Sequence, residues 1–121
     1  MTTVLVVEDT LTDIETIKIC LQQADINVLT AHTVEEALEQ ITIHQLDIII
    51  LDVVLPDQSG FKFCQELKSD PGTRTIPIIL CSHKGGTMDQ FWGMKQGADA
   101  YLVKPIAPEK LLRTIRQLLI N

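Results

Sequence analysis

The fold open to this chain is restricted most by three short, unbroken apolar runs rich in β-branched residues: Val4-Leu-Val-Val7, Ile48-Ile-Ile-Leu51 and Ile76-Pro-Ile-Ile-Leu-Cys81. A strand that alternates apolar and polar residues has one wet face, whereas a strand without alternation is covered on both. Such strands belong to a parallel sheet clothed by helices, and the segments between them have helical periodicity. The pattern predicts an α/β chain of five strand–helix units, with the sheet between two helical layers.

Strands are expected near 3–8, 26–30, 47–51, 76–81 and 100–103, and helices near 11–24, 34–43, 59–69, 87–96 and 108–120. The first helix carries Ile14, Ile17, Leu21 and Ala24 at helical spacing. Thr33 and Glu36 have capping-box spacing at the start of the second. The third places Phe61, Cys64 and Leu67 or Lys68 on successive turns, and Asp70-Pro-Gly72 ends it. Gly97 is the closing glycine of the fourth. Pro108 stands in the first turn of the fifth, whose core stripe is Leu111, Leu112, Ile115, Leu118 and Leu119. Residues 1–121 suit a single domain without repeat or linker.

A chain that is 45% hydrophobic and 21% charged can build an ordinary core. No apolar run approaches the roughly 20 residues of a membrane span. No signal-peptide pattern precedes the first strand, so a cytoplasmic location is expected. Cys20, Cys64 and Cys81 lie within elements and read as buried thiols in a reducing compartment. The net charge of -6 argues against nucleic acid as a partner. Residues 1–60 hold eleven acids and one base, whereas residues 61–121 hold five acids and nine bases. That asymmetry points to an acidic pocket at one end and a mildly basic docking face built from the last elements.

Polar residues close four of the apolar runs: Glu8-Asp9 after the first strand, Asp52 after the third, Ser82 after the fourth and Lys104-Pro105 after the fifth. In a parallel sheet all strand carboxyl ends lie on one edge, where open α/β folds bind ligands. Three acids, a hydroxyl and an ammonium therefore converge, a set suited to a divalent cation and a phosphoryl group. Mg²⁺ takes oxygen ligands and keeps several waters. Asp9 and Asp52 are the expected direct ligands, with Glu8 acting through water and the Val54 backbone carbonyl adding a further oxygen. An Asp oxygen can then attack phosphorus to form an aspartyl-phosphate, while Lys104 and Ser82 bind phosphoryl oxygens. No Walker-type glycine-rich loop is present to hold a nucleotide donor. His32, His44 and His83 have no metal-ligand spacing. Trp92 is expected to pack its helix inward, with an exposed partner anchor as the alternative.

The motifs Val-Val-Glu8-Asp9, Leu-Asp52-x-x-x-Pro56-x-x-x-Gly60, Ser82 and Gly97-Ala98-Asp-Ala-Tyr101-Leu-Val-Lys104-Pro105 together resemble the receiver domain of two-component response regulators, the CheY-like family. The resemblance spans the whole chain. It implies a (βα)5 flavodoxin-like fold with strand order 2-1-3-4-5. It also implies phosphorylation of Asp52 by a phosphohistidine on a sensor histidine kinase or phosphotransfer protein, with Mg²⁺. Ser82 and Tyr101 would form a switch pair, and the Lys104–Pro105 bond would be cis. The segment from Ser82 to Tyr101, with Asp89, Trp92-Gly-Met94 and Gln96-Gly-Ala98, is similar to single-domain regulators of type IV pilus motility and phototaxis. Departures from the commonest pattern are Ser82 in place of threonine, His83 where a small residue is usual, and Val54, which cannot orient a hydrolytic water.

The expected function is a stand-alone phosphorylatable signalling module that is not an enzyme in the ordinary sense. It would signal through a protein partner docked on the fourth helix, fifth strand and fifth helix. Alternatives are a small phosphotransfer enzyme acting on external phosphates, a phosphate sink, and a scaffold that takes no phosphate.

Overall fold

The computed structural model describes residues 1–120. The elements are β1 (Thr3–Val7), α1 (Leu11–Gln23), β2 (Asn27–Ala31), α2 (Val34–Ile43), β3 (Ile48–Asp52), α3 (Gly60–Ser69), β4 (Ile78–Ser82), α4 (Thr87–Lys95), β5 (Ala100–Val103) and α5 (Pro108–Ile120). All five strands are parallel, in the order β2-β1-β3-β4-β5.

The unbroken apolar runs are explained by burial on both faces. Leu5, Val7, Ile49, Leu51, Ile78 and Leu80 point to one side, against Val34 and Ala37 of α2 and Phe63, Cys64 and Leu67 of α3. Val4, Val6, Ile48, Ile50, Ile79 and Cys81 point to the other, against Ile17, Cys20 and Leu21 of α1 and Leu111 and Ile115 of α5. Fully burying each such side chain contributes about 1.5–3 kcal/mol. All three cysteines are buried free thiols.

Several boundaries differ from the sequence expectation. β4 starts at Ile78, because Pro77 has no N–H for the ladder, although its carbonyl still accepts from the Ile49 amide (3.0 Å). β3 and β4 run on to include Asp52 and Ser82, which are therefore held in register: Asp52 lies opposite Cys81 and Ser82 opposite Val103. α1 ends before Ala24, which is exposed, and Cys20 takes the core place instead. Leu119 is 42% exposed, one turn beyond Ile115, the last fully buried position of α5. Gly97 does close α4, at φ 99°.

Trp92 is not packed inward. α4 buries only Gly93, because the Tyr101 ring and Leu80 fill the space beneath that helix; a Cβ on Gly93 would lie 2.7 Å from Tyr101 Cδ2 and 3.2 Å from Leu80 Cδ1. Met88, Phe91, Trp92 and Met94 are consequently turned outward.

Candidate functional site

The sheet order places the carboxyl ends of β1, β3, β4 and β5 along one edge, and the polar residues at those ends meet there. Glu8, Asp52, Ser82 and Lys104 are all buried, although each carries a polar or charged side chain. The Lys104 ammonium donates to Glu8 Oε1, to Asp13 Oδ2 (3.0 Å) and to Asp52 Oδ2 (3.2 Å). An ammonium has three protons, and three carboxylates take them. The Lys104–Pro105 peptide is cis.

The loop after Asp52 folds back over the site. Gly60 N–H donates to the Val53 carbonyl (2.8 Å), and Val54 pairs with Ser59 in an antiparallel bridge. A Cβ on Gly60 would come within 2.1 Å of the Asp52 carbonyl oxygen, so only glycine permits this approach. Asp57, within the same loop, accepts from the Val34 and Glu35 amides (3.0 and 3.2 Å) and so caps α2. Asp52 Oδ1 accepts from the Val54 amide (3.3 Å).

Asp9, Asp13, Asp52, Val54, Ser82, His83, Lys84 and Lys104 border a single cleft of about 280 Å³, together with Thr10. His83 is exposed at its edge. Glu8 stands behind the cleft: its second oxygen accepts from the Asp9 and Thr10 amides (2.8 and 3.1 Å). Burial, reinforced by Asp52, pushes the Glu8 carboxyl up to about 7 against the pull of Lys104. Burial opposes the Lys104 charge, but Glu8, Asp13 and Asp52 outweigh it and hold the ammonium above its ordinary value.

Among the described residues, no three Asp, Glu, His or Cys side chains are already gathered as a metal-binding group. The donors nevertheless fit a hard divalent cation that keeps much of its water. Asp9 and Asp52 face the same cleft, its acidic ligands are oxygen only, and one buried ammonium is outnumbered by the carboxylates around it.

Ser82 and Tyr101 are joined through one residue. Ser82 Oγ accepts from the Lys84 amide (3.0 Å), while the Tyr101 hydroxyl donates to the Lys84 carbonyl (2.7 Å). Tyr101 lies inward, buried against the core.

Sequence reasoning missed Asp13, Asp57 and the Lys84 backbone. Asp13 had a signal: an acid in the first turn of α1, four residues after Asp9, belongs to the same sheet edge. Asp57 and Lys84 act through loop contacts that carry no periodicity.

A doubly wound parallel sheet with buried acids and a lysine at its carboxyl edge defines the class of flavodoxin-like domains, whose ligand crevice lies at that edge. Within that class the chain belongs to the response regulator receiver domain family, which matches residues 4–116. It is 32% identical over 119 residues to the protein PilH of Pseudomonas aeruginosa, covering 98% of each chain. The response regulator ArlR of Staphylococcus aureus, 35% identical over 119 residues, is longer, and the chain spans only 53% of its length. The solved structure of the chemotaxis response regulator CheY4 of Vibrio cholerae superposes with a TM-score of 0.90 at 32% identity, over 98% of this chain and 99% of that one. The receiver domain of the sensor histidine kinase PA1611 of P. aeruginosa, solved with a magnesium ion in its active-site cleft, has the same fold (TM-score 0.90, 22% identity, 99% and 98% covered). Receiver domains are signalling proteins of two-component systems. Among the described residues no helix is long and apolar enough to cross a membrane.

Proposed function

We propose that the protein accepts a phosphoryl group on Asp52 from a phosphohistidine of a sensor histidine kinase or phosphotransfer protein. The observation that carries this reading is the convergence of Asp52 and Lys104 at the sheet edge, with Ser82 bordering the same cleft. An Asp52 oxygen forms the new bond to phosphorus as the donor's N–P bond breaks, and the imidazole leaves with its electron pair. Lys104 supplies an ammonium to the transferred oxygens, and the Ser82 hydroxyl supplies a hydrogen bond. Asp9, Asp52 and the Val54 carbonyl would hold Mg²⁺, with Glu8 acting through water. Bound there, the ion would neutralise charge developing on the phosphoryl oxygens.

Signalling follows from the Ser82–Lys84–Tyr101 linkage. When the Ser82 hydroxyl turns to the phosphoryl group it releases the Lys84 amide, and the loop that also holds Tyr101 is biased toward a second arrangement. The partner surface is α4–β5–α5. It presents Met88, Phe91 and Trp92 outward, with Lys95 over the Phe91 ring (5.5 Å), and the exposed bases Lys110, Arg113 and Arg116. Such a surface suits an acidic partner with apolar anchors. The likeness to PilH supports an output in type IV pilus motility.

Incubation with acetyl phosphate and Mg²⁺, read by intact mass, tests the assignment. The wild type should gain a phosphoryl adduct that vanishes without Mg²⁺ and in Asp52→Asn. An adduct retained by Asp52→Asn, or none on the wild type, refutes it.

A further inference from the structure

Lys104 serves more carboxylates than a phosphoryl acceptor requires. Two of its contacts are to buried carboxylates, Glu8 behind the cleft and Asp52 at its edge. The third is to Asp13, on the first turn of α1 and in the wall shared by the acidic cleft and a neighbouring pocket formed with Thr16, Pro105 and Ile106. From this geometry we infer that Asp13 is a positioning residue for Lys104: it draws the ammonium toward α1 and competes with the phosphoryl group for it. The inference rests on Asp52 being the phosphoacceptor.

All three ammonium protons are already taken, so a phosphoryl group on Asp52 can recruit Lys104 only if one contact yields. Glu8 is poorly placed to yield. Its side chain is 2% exposed, and losing its cation would leave a buried carboxylate with only two amides. The Asp13 side chain is 29% exposed, so water can replace the ammonium at its oxygen. The Asp52 contact passes to the phosphoryl group that Asp52 itself carries. Of the two carboxylates that hold the ammonium away from it, Asp13 is the one able to yield, so the strength of the Asp13 contact sets part of the cost of drawing Lys104 onto the phosphoryl oxygens. Without that competition, a phosphoryl group should be held more tightly.

The test measures binding of beryllium fluoride, a stable mimic of the phosphoryl group, at saturating Mg²⁺ by titration calorimetry. Wild type and Asp13→Asn are compared, each with Lys104 intact and with Lys104→Met. With Lys104 intact, Asp13→Asn should bind roughly three- to tenfold more tightly, the range of one charge-assisted hydrogen bond at a partly exposed site. With Lys104→Met the same change should have no effect. Equal tightening in both backgrounds would mean simple charge repulsion and overturn the proposal, as would unchanged affinity with Lys104 intact. If Lys104→Met fails to fold or to bind, NMR of the Lys104 ammonium protons decides. Their exchange with water should be faster in Asp13→Asn than in the wild type, and equal rates overturn the proposal. Failure of the wild type to bind beryllium fluoride or to accept phosphate would overturn the phosphoacceptor reading itself, and the role of Asp13 with it. Wild-type binding with an unaltered Asp13→Asn overturns the role of Asp13 alone.

Discussion

Gly93→Ala probes how Tyr101 and α4 share space. On helix propensity alone, alanine within α4 should stabilise the protein by about 1 kcal/mol. The structure opposes this, since the new Cβ would lie 2.7 Å from Tyr101 Cδ2 and 3.0 Å from Cε2. The ring must shift, or α4 must lift. Overpacking of this kind costs about 1–3 kcal/mol. Displacing the ring also threatens the bond from the Tyr101 hydroxyl to the Lys84 carbonyl, worth about 1 kcal/mol. With that hydrogen bond kept, the net expectation is a loss of about 1 kcal/mol. In a Tyr101→Ala background the obstruction is gone, and Gly93→Ala should stabilise by about 1 kcal/mol instead. The coupling between the two positions is thus about 2 kcal/mol. Urea unfolding of the four proteins, followed through Trp92, the only tryptophan and the neighbour of Gly93, measures it. Equal stabilisation in both backgrounds would refute the steric argument.

Two further outcomes are expected. The Asp57 carboxyl is held below its ordinary range by the Val34 amide first, and by the Glu35 amide as well. A depressed carboxyl contributes stability that is present above its unfolded pKa and lost as pH falls through its folded one. Asp57→Ala should therefore melt at a lower temperature than wild type at neutral pH, with the gap closing as the medium is acidified through that folded pKa; a gap that persists in acid would refute the cap. Val54, two residues after Asp52, is 66% exposed at the cleft and has no polar group to position water. Val54→Asn should shorten the lifetime of the phosphorylated protein severalfold, measured as loss of the adduct after the phosphodonor is removed, and an unchanged or longer lifetime would count against the idea.

Much of the site could be read before any coordinates because it is written in strand endings. Asp52, Ser82 and Lys104 each follow an apolar run, and parallel pairing brings run endings to one edge. Glu8 was legible as a member of the cluster but not as the buried partner of Lys104, since its orientation depends on the Asp9 and Thr10 amides. Trp92 was misplaced for a similar reason. Helical spacing identifies faces, but which face turns inward at α4 depends on Tyr101 filling the space under Gly93.

The sequence by itself determined the α/β class, the doubly covered parallel strands and the chemical identity of the edge residues, because hydrophobic period and strand termini are local properties of the chain. Only the tertiary structure decided that Asp13 shares Lys104, that Asp57 ties the loop after Asp52 to α2, and that Ser82 and Tyr101 grip the same Lys84 peptide. Those contacts join residues from separate elements or across irregular loops. No periodicity encodes them, and they arise when packing brings donors and acceptors within reach.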